Sequence, residues 1–599
     1  MSHAPTLSGP FRLAISGEGV RQRLIRMVQP VIESALRFPT MNRIYRQIHA
    51  RPDSRQFCDR ALEALGVTVN ITLGDAARIP STGPVVLIAN HPMGGIDGLA
   101  MLSIMQRIRP DGRMVGNYMM SILPDLREAY FFVDPFGGEG AVRRNLATMR
   151  RSINWLLDGH MLATFPAGEV AHFRFRERAI VDPPWNDSIA RIILRTGASV
   201  VPIYFEGRNS TLFHAAGFVH PRLRTMMLPS EMLGHRRRPI HVRIGRPIPF
   251  DVLKRHADSA SLTEYLRLRT QLLQRDDEPS PRALRAAAAP IDRPARREDL
   301  IEEIESLPAE HVLVSHQQLR VYGAPRSAIP VAMQEIGRLR EVAFRAVGEG
   351  TGRGSDLDRF DHHYTHLFVW DRTSAQILGA YRLVRVDEVL AGQGLDGLYT
   401  YTLFRFGTEL LDQIGPCIEL GRSFIHPEAQ RSTAPLMLLW KGIGQFVLRE
   451  PRCTGLLGPV SISAEYSTMS RLLLMAFLRM HKYLPQLGEL IKPRNPPRRM
   501  PPREWETERM STVVRDLEEV DALVRELEAD GKPMPVLLRQ YLWLNGRLLG
   551  FNVDPEFGNV LDGLMYVDLL QVDRRVMHRF MGKTDADRFI DMHAARRAP

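Results

Sequence analysis

Over residues 61–275, short apolar runs alternate with longer stretches in which apolar positions recur at helical spacing. Strands are predicted at Val85–Ala89, 160–165, Ser199–Phe205 and Ile240–Ile244, and helices at 99–105 and 141–157. Strands that alternate with helices are typical of an α/β layer architecture, in which helices cover the faces of the sheet. The first half of the chain is therefore predicted to be an α/β domain.

The pattern changes at residues 276–297, which are rich in proline, alanine and charge and show no periodicity. Such a segment is typical of an interdomain linker. Beyond it we predict a second α/β unit, with strands at 366–370, 376–384 and 417–424 and helices at Pro330–Ala346, 400–413 and 434–448. The predicted division of the chain is an N-terminal segment 1–60, a domain 61–275, a linker 276–300 and a domain 301–599.

Composition narrows the class of protein. The chain has 599 residues, of which 44% are hydrophobic, and a formal net charge of +12. These values fit two or more globular domains and exclude a fibrous or disordered protein. No apolar run reaches the roughly 18 residues of a spanning helix, and no secretory signal pattern is present. The three cysteines lack disulfide or metal-binding spacing, which predicts a reducing compartment and no metal site.

The positive charge is concentrated at the N-terminus, where residues 1–60 hold ten arginines and four acidic residues. Residues 20–48 combine an apolar stripe at helical spacing with surrounding arginines, and Pro30 interrupts them. A basic amphipathic helix of this kind binds an anionic bilayer surface. The alternative, of equal weight, is that the stripe packs on the next domain. Nucleic acid is a third option, but no basic stripe interleaved with aromatic residues supports it.

The first candidate site lies where a predicted strand ends. Asn90 and His91 follow the strand, Gly94 and Gly95 come next, and Asp97 opens an apolar helix. An imidazole that deprotonates an alcohol needs its second nitrogen held by an acceptor, and a carboxylate one turn away provides one. Since no serine or cysteine nucleophile motif lies nearby, the pair indicates direct transfer to an alcohol. The alternative is a histidine that only forms structural hydrogen bonds.

Two further segments follow apolar strands and contain a glycine turn. They are expected to supply hydrogen-bond donors and charge to the same cleft. The candidate residues are Phe165, Pro166, Gly168 and Glu169 in the first segment, and Glu206 and Arg208 in the second.

Together the three segments resemble the glycerolipid acyltransferase family, which includes the lysophosphatidate acyltransferases. The His-x4-Asp, Phe-Pro-Glu-Gly and Val-Pro-Val blocks of that family have counterparts here in the same order, within residues 75–250. The resemblance implies a glycerolipid-acyltransferase-like α/β domain that transfers an acyl group from a thioester to a lysolipid hydroxyl. In that reaction His91 would be the general base and Asp97 would orient it.

Two departures from the family pattern change the expected acceptor. Five residues rather than four separate His91 from Asp97, and no arginine follows Glu169. Arginine is the side chain best suited to holding a phosphate. The pattern therefore looks like the branch of the family that acylates aminoacyl lysolipids rather than lysophosphatidate.

A second group of charged residues begins in 331–361, where a helix with Arg345 leads into a glycine-rich turn followed by Asp358 and Asp361. Taken alone, this segment also fits a polar loop with solvated acids. Further along, Glu419 and Arg422 lie three residues apart in a predicted strand. Their side chains point to opposite faces unless the strand is bulged or splayed.

The series Arg345, Asp358, Asp361, Arg382, Glu419 and Arg422 matches an Arg…Asp-x-x-Asp…Arg…Glu-x-x-Arg pattern. This pattern resembles the ornithine-lipid N-acyltransferases and, more distantly, the acyl-homoserine-lactone synthases. The resemblance implies a GNAT-like mixed-sheet α/β domain, with Glu419 as base or amine-orienting acid and arginines that hold a carboxylate or the carrier arm. Residues 535–550 resemble a block that closes the cleft in the ornithine-lipid enzymes, or form an ordinary amphipathic helix of the core.

The segment that would bind the pyrophosphate of coenzyme A in a GNAT domain departs from the usual pattern, and this departure bears on the acyl donor. Residues 430–435 have no central glycine whose amide would meet the phosphates of coenzyme A. This favours acyl carrier protein over coenzyme A as the donor's carrier, with no other cofactor. Because carrier proteins are acidic, the arginine excess of the chain suits one as a partner.

Two acyltransferase resemblances in one chain predict successive steps. The C-terminal domain would N-acylate ornithine with a 3-hydroxyacyl group, and the N-terminal domain would O-acylate the resulting lyso-lipid. The predicted location is peripheral, at the inner face of a bacterial cytoplasmic membrane. Three alternatives stay open: another head group such as glycine, a lysophospholipid acyltransferase with a non-catalytic C-terminal domain, and a membrane-binding protein without turnover.

Overall fold

Two separate segments of the chain form its first folded unit. The computed structural model describes residues 9–13, 20–50, 56–72, 74–134, 139–175, 177–256, 258–274, 288–506, 511 and 513–597. The first unit comprises Met1–Arg275 and Pro502–Val514, and the second comprises Asp276–Pro501 and Arg515–Pro599. Trp505, in the returning segment, is buried and donates its Nε1–H to Gln271 Oε1 at 2.7 Å. Nothing in the hydrophobic pattern predicts this return.

A seven-stranded sheet forms the centre of the first unit. Its strands are β1 (Val69–Ile71), β2 (Val85–Ala89), β3 (Arg113–Asn117), β4 (Tyr130–Val133), β5 (Met161–Thr164), β8 (Ser199–Phe205) and β9 (Ile240–Ile244). Their order is β1-β9-β8-β2-β5-β3-β4, and β8 and β9 are the antiparallel pair among the described strands. Every residue of β2 is buried, as expected for a strand covered on both faces. A separate hairpin joins β6 (His172–Arg174) to β7 (Ala179–Val181).

Ten helices are described in the first unit. They are α1 (Val20–Ala35), α2 (Phe38–His49), α3 (Phe57–Leu65), α4 (Gly95–Ile108), α5 (Glu139–Leu157), α6 (Ser188–Thr196), α7 (Thr211–Val219), α8 (Pro221–Gly234), α9 (Phe250–Leu253) and α10 (Ser259–Gln271). The turn from β2 to α4 holds His91 at the carboxyl end of a central strand, the end at which parallel sheets carry binding and chemistry.

Part of the predicted N-terminal segment belongs to the core of this unit. Met41, Ile44 and Ile48 of α2 are buried in the same hydrophobic cluster as the central strands. The boundary predicted at residue 60 therefore does not separate these residues from the domain that follows, because α2 and α3 supply core side chains. By contrast, α1 exposes Met27 and Val31. In the described part of the chain, no helix has the length and apolar character to cross a membrane.

The second unit contains an eight-stranded mixed sheet. Its strands are β10 (Val312–His316), β11 (Leu319–Pro325), β12 (Thr365–Asp371), β13 (Gln376–Arg385), β15 (Cys417–Ile425), β16 (Gly455–Ile462), β18 (Arg547–Asp554) and β19 (Val560–Asp568). The order is β10-β11-β12-β13-β15-β16-β19-β18, and β15 and β16 are the parallel neighbours among the described strands. A second, two-stranded sheet pairs β14 (Phe404–Phe406) with β17 (Ile491–Pro493).

The described helices of this unit surround the sheet. They are α11 (Arg297–Glu305), α12 (Pro330–Ala346), α13 (Val386–Gly392), α14 (Thr400–Leu403), α15 (Thr408–Ile414), α16 (Ala434–Arg449), α17 (Thr468–His481), α18 (Pro485–Gly488), α19 (Leu517–Leu527), α20 (Val536–Trp543), α21 (Arg574–Met581) and α22 (Lys583–Arg597). The sequence analysis thus predicted the α/β class and the mixed sheet of this domain correctly.

Two predicted segments differ from the structure or lie partly outside it. The single helix predicted at 400–413 is wrong, because β14 interrupts it to pair with β17, a partner far along the chain. Most of the predicted linker lies outside the described residues. Its described end is tied to the second unit, since Ala289 N donates to Gly352 O at 2.9 Å and Asp292 N donates to Gly354 O at 3.0 Å.

Candidate active sites

Asn90 holds the β2–α4 turn in place. Its side-chain Nδ2 donates to Phe205 O at 2.9 Å, and its Oδ1 accepts from Phe205 N at 2.7 Å. The amide thereby joins the carboxyl ends of β2 and β8 as a further backbone unit would. Asn90 was predicted to bind substrate, and the structure engages both ends of its amide within the protein.

His91 and Asp97 form the pair that the sequence predicts. His91 Nδ1 lies 3.1 Å from Asp97 Oδ2, and the Asp97 side chain is fully buried while that of His91 is 17% exposed. Because a carboxylate only accepts, the Nδ1 atom carries the proton and Nε2 keeps a lone pair. This is the state that a general base requires.

The five-residue spacing between the pair is accommodated by a tight turn. Asp97 Oδ2 also accepts the backbone N–H groups of Met93 and Gly94, at 2.8 and 2.9 Å. Gly94 has a φ of +85°, and a Cβ there would lie 2.9 Å from Leu228 Cδ2. Positive φ and close packing both favour glycine at this position. One carboxylate thus fixes the turn and the imidazole together.

Two neighbours complete the surroundings of the imidazole. The His91 and Phe165 rings stack with centroids 4.1 Å apart. His91 N donates to Asp182 Oδ1 at 3.2 Å, and Trp185 Nε1 donates to the other oxygen of Asp182 at the same distance. Burial raises the pKa of Asp182. Sequence reasoning missed Asp182 and Trp185; the signal was an acid and an aromatic residue after the β6–β7 hairpin.

The other predicted residues of this site lie in the segments after β5 and β8. Glu169 is 61% exposed and accepts from Arg224 Nη2 at 2.9 Å, so α8 supplies an arginine that the local sequence lacks. Glu206 accepts from Arg243 Nε at 2.7 Å, and Arg208 is exposed.

The glycines and the proline of the predicted set shape the turns of this site. Gly168 is exposed with a φ of +68°, Pro166 is buried, and a Cβ at Gly95 would meet Met232 Cε at 2.5 Å. The structure therefore brings His91, Asp97, Gly94 and Phe165 into direct or adjacent contact.

A buried charge cluster lies in the second unit. Asp361 Oδ1 accepts from Arg340 Nη1 at 2.8 Å and from Arg382 Nη1 at 3.1 Å, and all three side chains are fully buried. Arg382 Nη1 also donates to Asp358 Oδ1 at 2.6 Å. Burial alone would raise the pKa of Asp361, but the two arginines outweigh it and hold that pKa well below its usual range. The predicted Asp358, Asp361 and Arg382 are thus in contact.

The arginine that completes this cluster is Arg340. Arg345, which was expected to hold a carboxylate or the carrier arm, lies outside the cluster. Arg345 Nε donates to Glu341 Oε1 at 2.7 Å, and its guanidinium also bonds the carbonyl oxygens of Ala289 and Arg353. Residues five apart in a helix are rotated by about 140°. Arg340 and Arg345 therefore face different sides of α12.

A β-bulge brings Glu419 and Arg422 to the same neighbours. The pairing of β13 with β15 shifts register at this point, and Arg422 has a φ of +48°. Glu419 Oε1 accepts from Thr400 N at 2.8 Å, and Arg422 Nη1 donates to Tyr399 Oη at 2.9 Å. A bulge changes the direction in which a side chain points. The strand is therefore bulged, as the sequence analysis required if Glu419 and Arg422 are to point to the same face.

The strands β15 and β16 separate after a short parallel pairing. Residues 417–419 pair with 455–457, although both strands continue beyond this register. At the point of separation a Cβ on Gly458 would lie 2.5 Å from Leu420 O and 3.1 Å from Tyr541 Oη. Tyr541 belongs to α20, within the predicted block 535–550, and its ring packs 5.6 Å from that of Trp440. The block thus supplies a core helix beside the splayed strands.

Three further carboxyl groups, which we call the acidic cluster, are Glu349, Asp554 and Asp562. Burial raises the pKa of Glu349 to about 7. Burial also raises the pKa of Asp562, and repulsion from Asp554 and Glu349 adds to this effect. Asp562 is 5% exposed, and its Oδ2 atom has no hydrogen-bond partner among the described residues.

The sheet register explains how the acidic cluster assembles. Asp562 of β19 lies opposite Ser461 of β16 and Asn552 of β18, so the three side chains share one face. Ser461 Oγ donates to Glu349 Oε2 at 3.1 Å. Sequence reasoning missed these acids. The available signal was Asp562, an aspartate in the interior of the largely apolar strand Val560–Asp568.

Glu419 gives a testable pH dependence of stability. It is fully buried, and burial raises its pKa from 4.5 to about 7. The folded state therefore holds the proton more tightly than the unfolded state, and the free energy of unfolding falls as the pH rises through this range. The fall attributable to Glu419 is at most about 3 kcal/mol.

We expect Glu419→Gln to remove this part of the slope, because glutamine keeps an acceptor for Thr400 N but does not titrate. Urea unfolding at several pH values between 4.5 and about 7 measures the slope of the free energy of unfolding against pH. Glu349 contributes a slope of the same sign, so the wild type and the variant must be compared directly. Equal slopes in the two proteins would contradict the assignment.

Comparisons with known proteins agree with this pair of sites. Residues 24–278 match the family described as Acyltransferase, and residues 339–441 match the Acetyltransferase (GNAT) domain. The chain is therefore an enzyme that transfers acyl groups to oxygen and to nitrogen, in a fused architecture.

More particularly, the chain belongs to the aminoacyl-lipid acyltransferases. It is 33% identical to the glycine N(alpha)-acyltransferase of Bacteroides thetaiotaomicron over 283 residues, which are 43% of this chain and 80% of that protein. It is 26% identical to the lyso-glycine lipid O-acyltransferase of Phocaeicola vulgatus, over 35% of this chain and 75% of that protein. It is 28% identical to the L-ornithine N(alpha)-acyltransferase of Rhodobacter capsulatus, over 36% of this chain and 74% of that protein.

Proposed function

We propose that this protein makes ornithine lipid in two successive acyl transfers. In the second unit, the α-amino group of ornithine attacks the thioester of a 3-hydroxyacyl group, an amide forms and a thiol leaves. In the first unit, the 3-hydroxyl of that product attacks a second acyl thioester, an ester forms and a second thiol leaves. The product of one site is the acceptor of the other.

The observation that carries the choice of ornithine is the excess of buried carboxyl groups over buried arginines in the second unit. Arg340 and Arg382 are neutralised by Asp358 and Asp361, while Arg422 lies 3.1 Å from Asp356. The acidic cluster lies outside these ion pairs, with Arg422 as a nearby cation, and its carboxyl groups have raised pKa values. A ligand with a second ammonium group would supply the missing positive charge. Ornithine has that group and glycine does not.

Glycine is the second candidate head group, and a specific observation favours it. The relatives named for glycine are 33% and 32% identical to this chain, whereas the relative named for ornithine is 28% identical. A glycine acceptor has a single amino group, which attacks the thioester once it has lost a proton. Glycine would therefore leave the acidic cluster without a ligand. The two head groups are therefore distinguished by whether the acidic cluster takes part.

For the N-acyl step we propose Glu419 as the base. An ammonium must lose a proton before its nitrogen attacks, and a base works best with a pKa near the working pH. Burial raises the pKa of Glu419 to about 7, and its carboxyl group also interacts with the hydroxyl of Tyr364. The splayed backbone of β15 and β16 is the proposed seat of the thioester carbonyl.

For the O-acyl step we propose roles for His91, Asp97 and Phe165 that the described geometry supports. His91 Nε2 takes the proton of the acceptor hydroxyl as its oxygen attacks the thioester carbonyl, and Asp97 stabilises the imidazolium that forms. Protonated His91 then returns the proton to the departing thiolate. Phe165 stacks on the imidazole and keeps its orientation.

We propose that acyl carrier protein, rather than coenzyme A, carries the acyl group that is transferred in the N-acyl step. The first turn of α16 contains Pro435, which has no N–H, and Ala434 N already donates to Ser432 Oγ at 3.2 Å. Few amides therefore remain to meet the pyrophosphate of coenzyme A. A carrier protein brings its arm through an acidic surface, which suits a chain with a net charge of +12.

We also propose that the protein works at the inner surface of the cytoplasmic membrane, since its acceptor carries a long acyl chain. Support comes from α1, which exposes Met27, Val28 and Val31 at 49–76%. Apolar side chains on a basic helix favour the interface of an anionic bilayer.

The proposal is tested by mass spectrometry of the lipids of a bacterial host that lacks aminolipids. Expression of the wild type should produce a diacylated ornithine lipid. A diacylated glycine lipid would keep the two-step mechanism and replace the head group. Altered phospholipids without any aminolipid would instead favour a lysophospholipid acyltransferase, and an unchanged lipid profile would contradict both.

A further inference from the structure

Helix α7 in the first unit carries its apolar side chains on the outside. Leu212, Phe218 and Val219 are 67%, 54% and 78% exposed, whereas Phe213 is fully buried on the inner side. A surface helix of a globular protein normally turns its polar face outward. Helix α7 is instead apolar on both sides, and it exposes apolar side chains to its surroundings.

Neighbouring elements extend this exposed surface. Phe175, in the turn after β6, is 74% exposed, and its ring centroid lies 5.0 Å from that of Phe218. On α8, Leu223 and Met226 are 40% and 36% exposed. We call these side chains the hairpin patch: Phe175, Leu212, Phe218, Val219, Leu223 and Met226. A cluster of exposed apolar residues from three elements marks an interaction site rather than chance exposure.

Helix α8 connects the hairpin patch to the His91 site. Arg224 of α8 pairs with Glu169, one residue before the buried Val170 that packs near Gly94. One turn further, Leu228 lies against Gly94, and Met232 lies against Gly95. The same helix therefore exposes apolar residues at one end and packs against the catalytic turn at the other.

The charge of this region identifies the partner. Residues 207–238 contain six arginines and a single glutamate, Glu231. That glutamate is buried and accepts from Ser210 N and Oγ, so it does not offset the arginines at the surface. In the sequence, Arg222 and Arg224 flank Leu223 of the patch, and Arg174 and Arg176 flank Phe175. Apolar side chains with basic neighbours fit the interface of an anionic bilayer.

We infer that the hairpin patch inserts into the surface of an anionic bilayer and thereby brings the His91 site to its lipid acceptor. A lyso-lipid held in the bilayer by its acyl chain needs to raise only its polar end to reach His91. Helix α8 links the two places, because it exposes Leu223 and Met226 and packs Leu228 and Met232 against the turn of the His91 site. The inference does not depend on the head group, since any aminoacyl lysolipid has an acyl chain.

The test uses the full chain and vesicles of phosphatidylglycerol and phosphatidylethanolamine. The triple variant Leu212→Glu, Phe218→Glu and Val219→Glu should bind these vesicles at least tenfold more weakly in co-sedimentation. The matched control is Val142→Glu with Leu146→Glu, two residues of α5 that are 58% and 52% exposed. The control should bind as the wild type does.

A second readout separates insertion from loss of activity or of folding. A tryptophan in place of Phe218 should shift its emission to shorter wavelength and be quenched by brominated lipids, whereas one in place of Val142 should not. The triple variant should keep its O-acyl activity on a water-soluble, short-chain acceptor. Undiminished vesicle binding by the triple variant would overturn the inference. So would a change in oligomeric state on substitution with no change in vesicle binding, because the patch would then join copies of this chain.

Discussion

Replacing His91 with alanine will stop the second acylation and leave the first intact. The lipid extract should then contain the mono-acylated aminolipid in place of the diacylated one. The reason is geometric: Asp97 holds Nδ1 at 3.1 Å, and no other nitrogen of the turn is free to act as a base. Loss of a general base of this kind reduces the rate by about a thousandfold.

A matched control exists in the same unit. His160 Nδ1 lies 3.0 Å from Asp111 Oδ2, so it is also a histidine paired with an aspartate, and it is 35% exposed. His160→Ala should leave the lipid profile unchanged. Diacylated lipid from the His91→Ala strain would contradict the assignment, as would loss of both lipids, since the N-acyl step belongs to the other unit.

The double variant Glu349→Gln with Asp562→Asn will lose its use of ornithine by about a hundredfold, mainly through a higher KM. The two groups are buried carboxyls of the acidic cluster, and both have raised pKa values. Removing the charged partner of a buried ammonium typically costs about 2–4 kcal/mol. Glycine has no second ammonium, so any residual glycine acylation should be unchanged.

Kinetics with purified protein and a 3-hydroxyacyl thioester of acyl carrier protein measure both acceptors. The control variant is Glu409→Gln with Asp412→Asn, two exposed acids of α15. Ornithine should also release protons on binding near pH 7, because its ammonium lowers the pKa of Glu349 from about 7.

The kinetic results distinguish an error in the head group from an error in the role of the acidic cluster. A wild type that acylates glycine and not ornithine would overturn the head group. A wild type that uses ornithine, together with an unaffected double variant, would overturn only the role of the acidic cluster.

Local patterns were enough to predict much of the first site. The β2 and β8 runs are continuous and apolar, and the glycines and Asp97 follow β2 directly, so strand, turn and helix all lie within one short segment. Asp182 and Trp185 could not be found in the same way. They reach His91 only because the β6–β7 hairpin folds back toward the turn.

The second site depended on contacts between distant parts of the chain. The motif series includes Arg345 and not Arg340, because a motif gives an order of residues but not the side of the helix that each one faces. The helix predicted at 400–413 failed because β14 has a partner almost ninety residues away. The acidic cluster needed the register of β16, β18 and β19, which no local pattern specifies.

The return of residues 502–514 to the first unit changes what a single break in the backbone can do. A break between residues 276 and 300 cuts the direct connection, but the segment with Trp505 still belongs to the first unit while its chain continues into the second. An N-terminal fragment that ends in the linker would lack Trp505, whose indole donates to Gln271, and would therefore be an incomplete first unit.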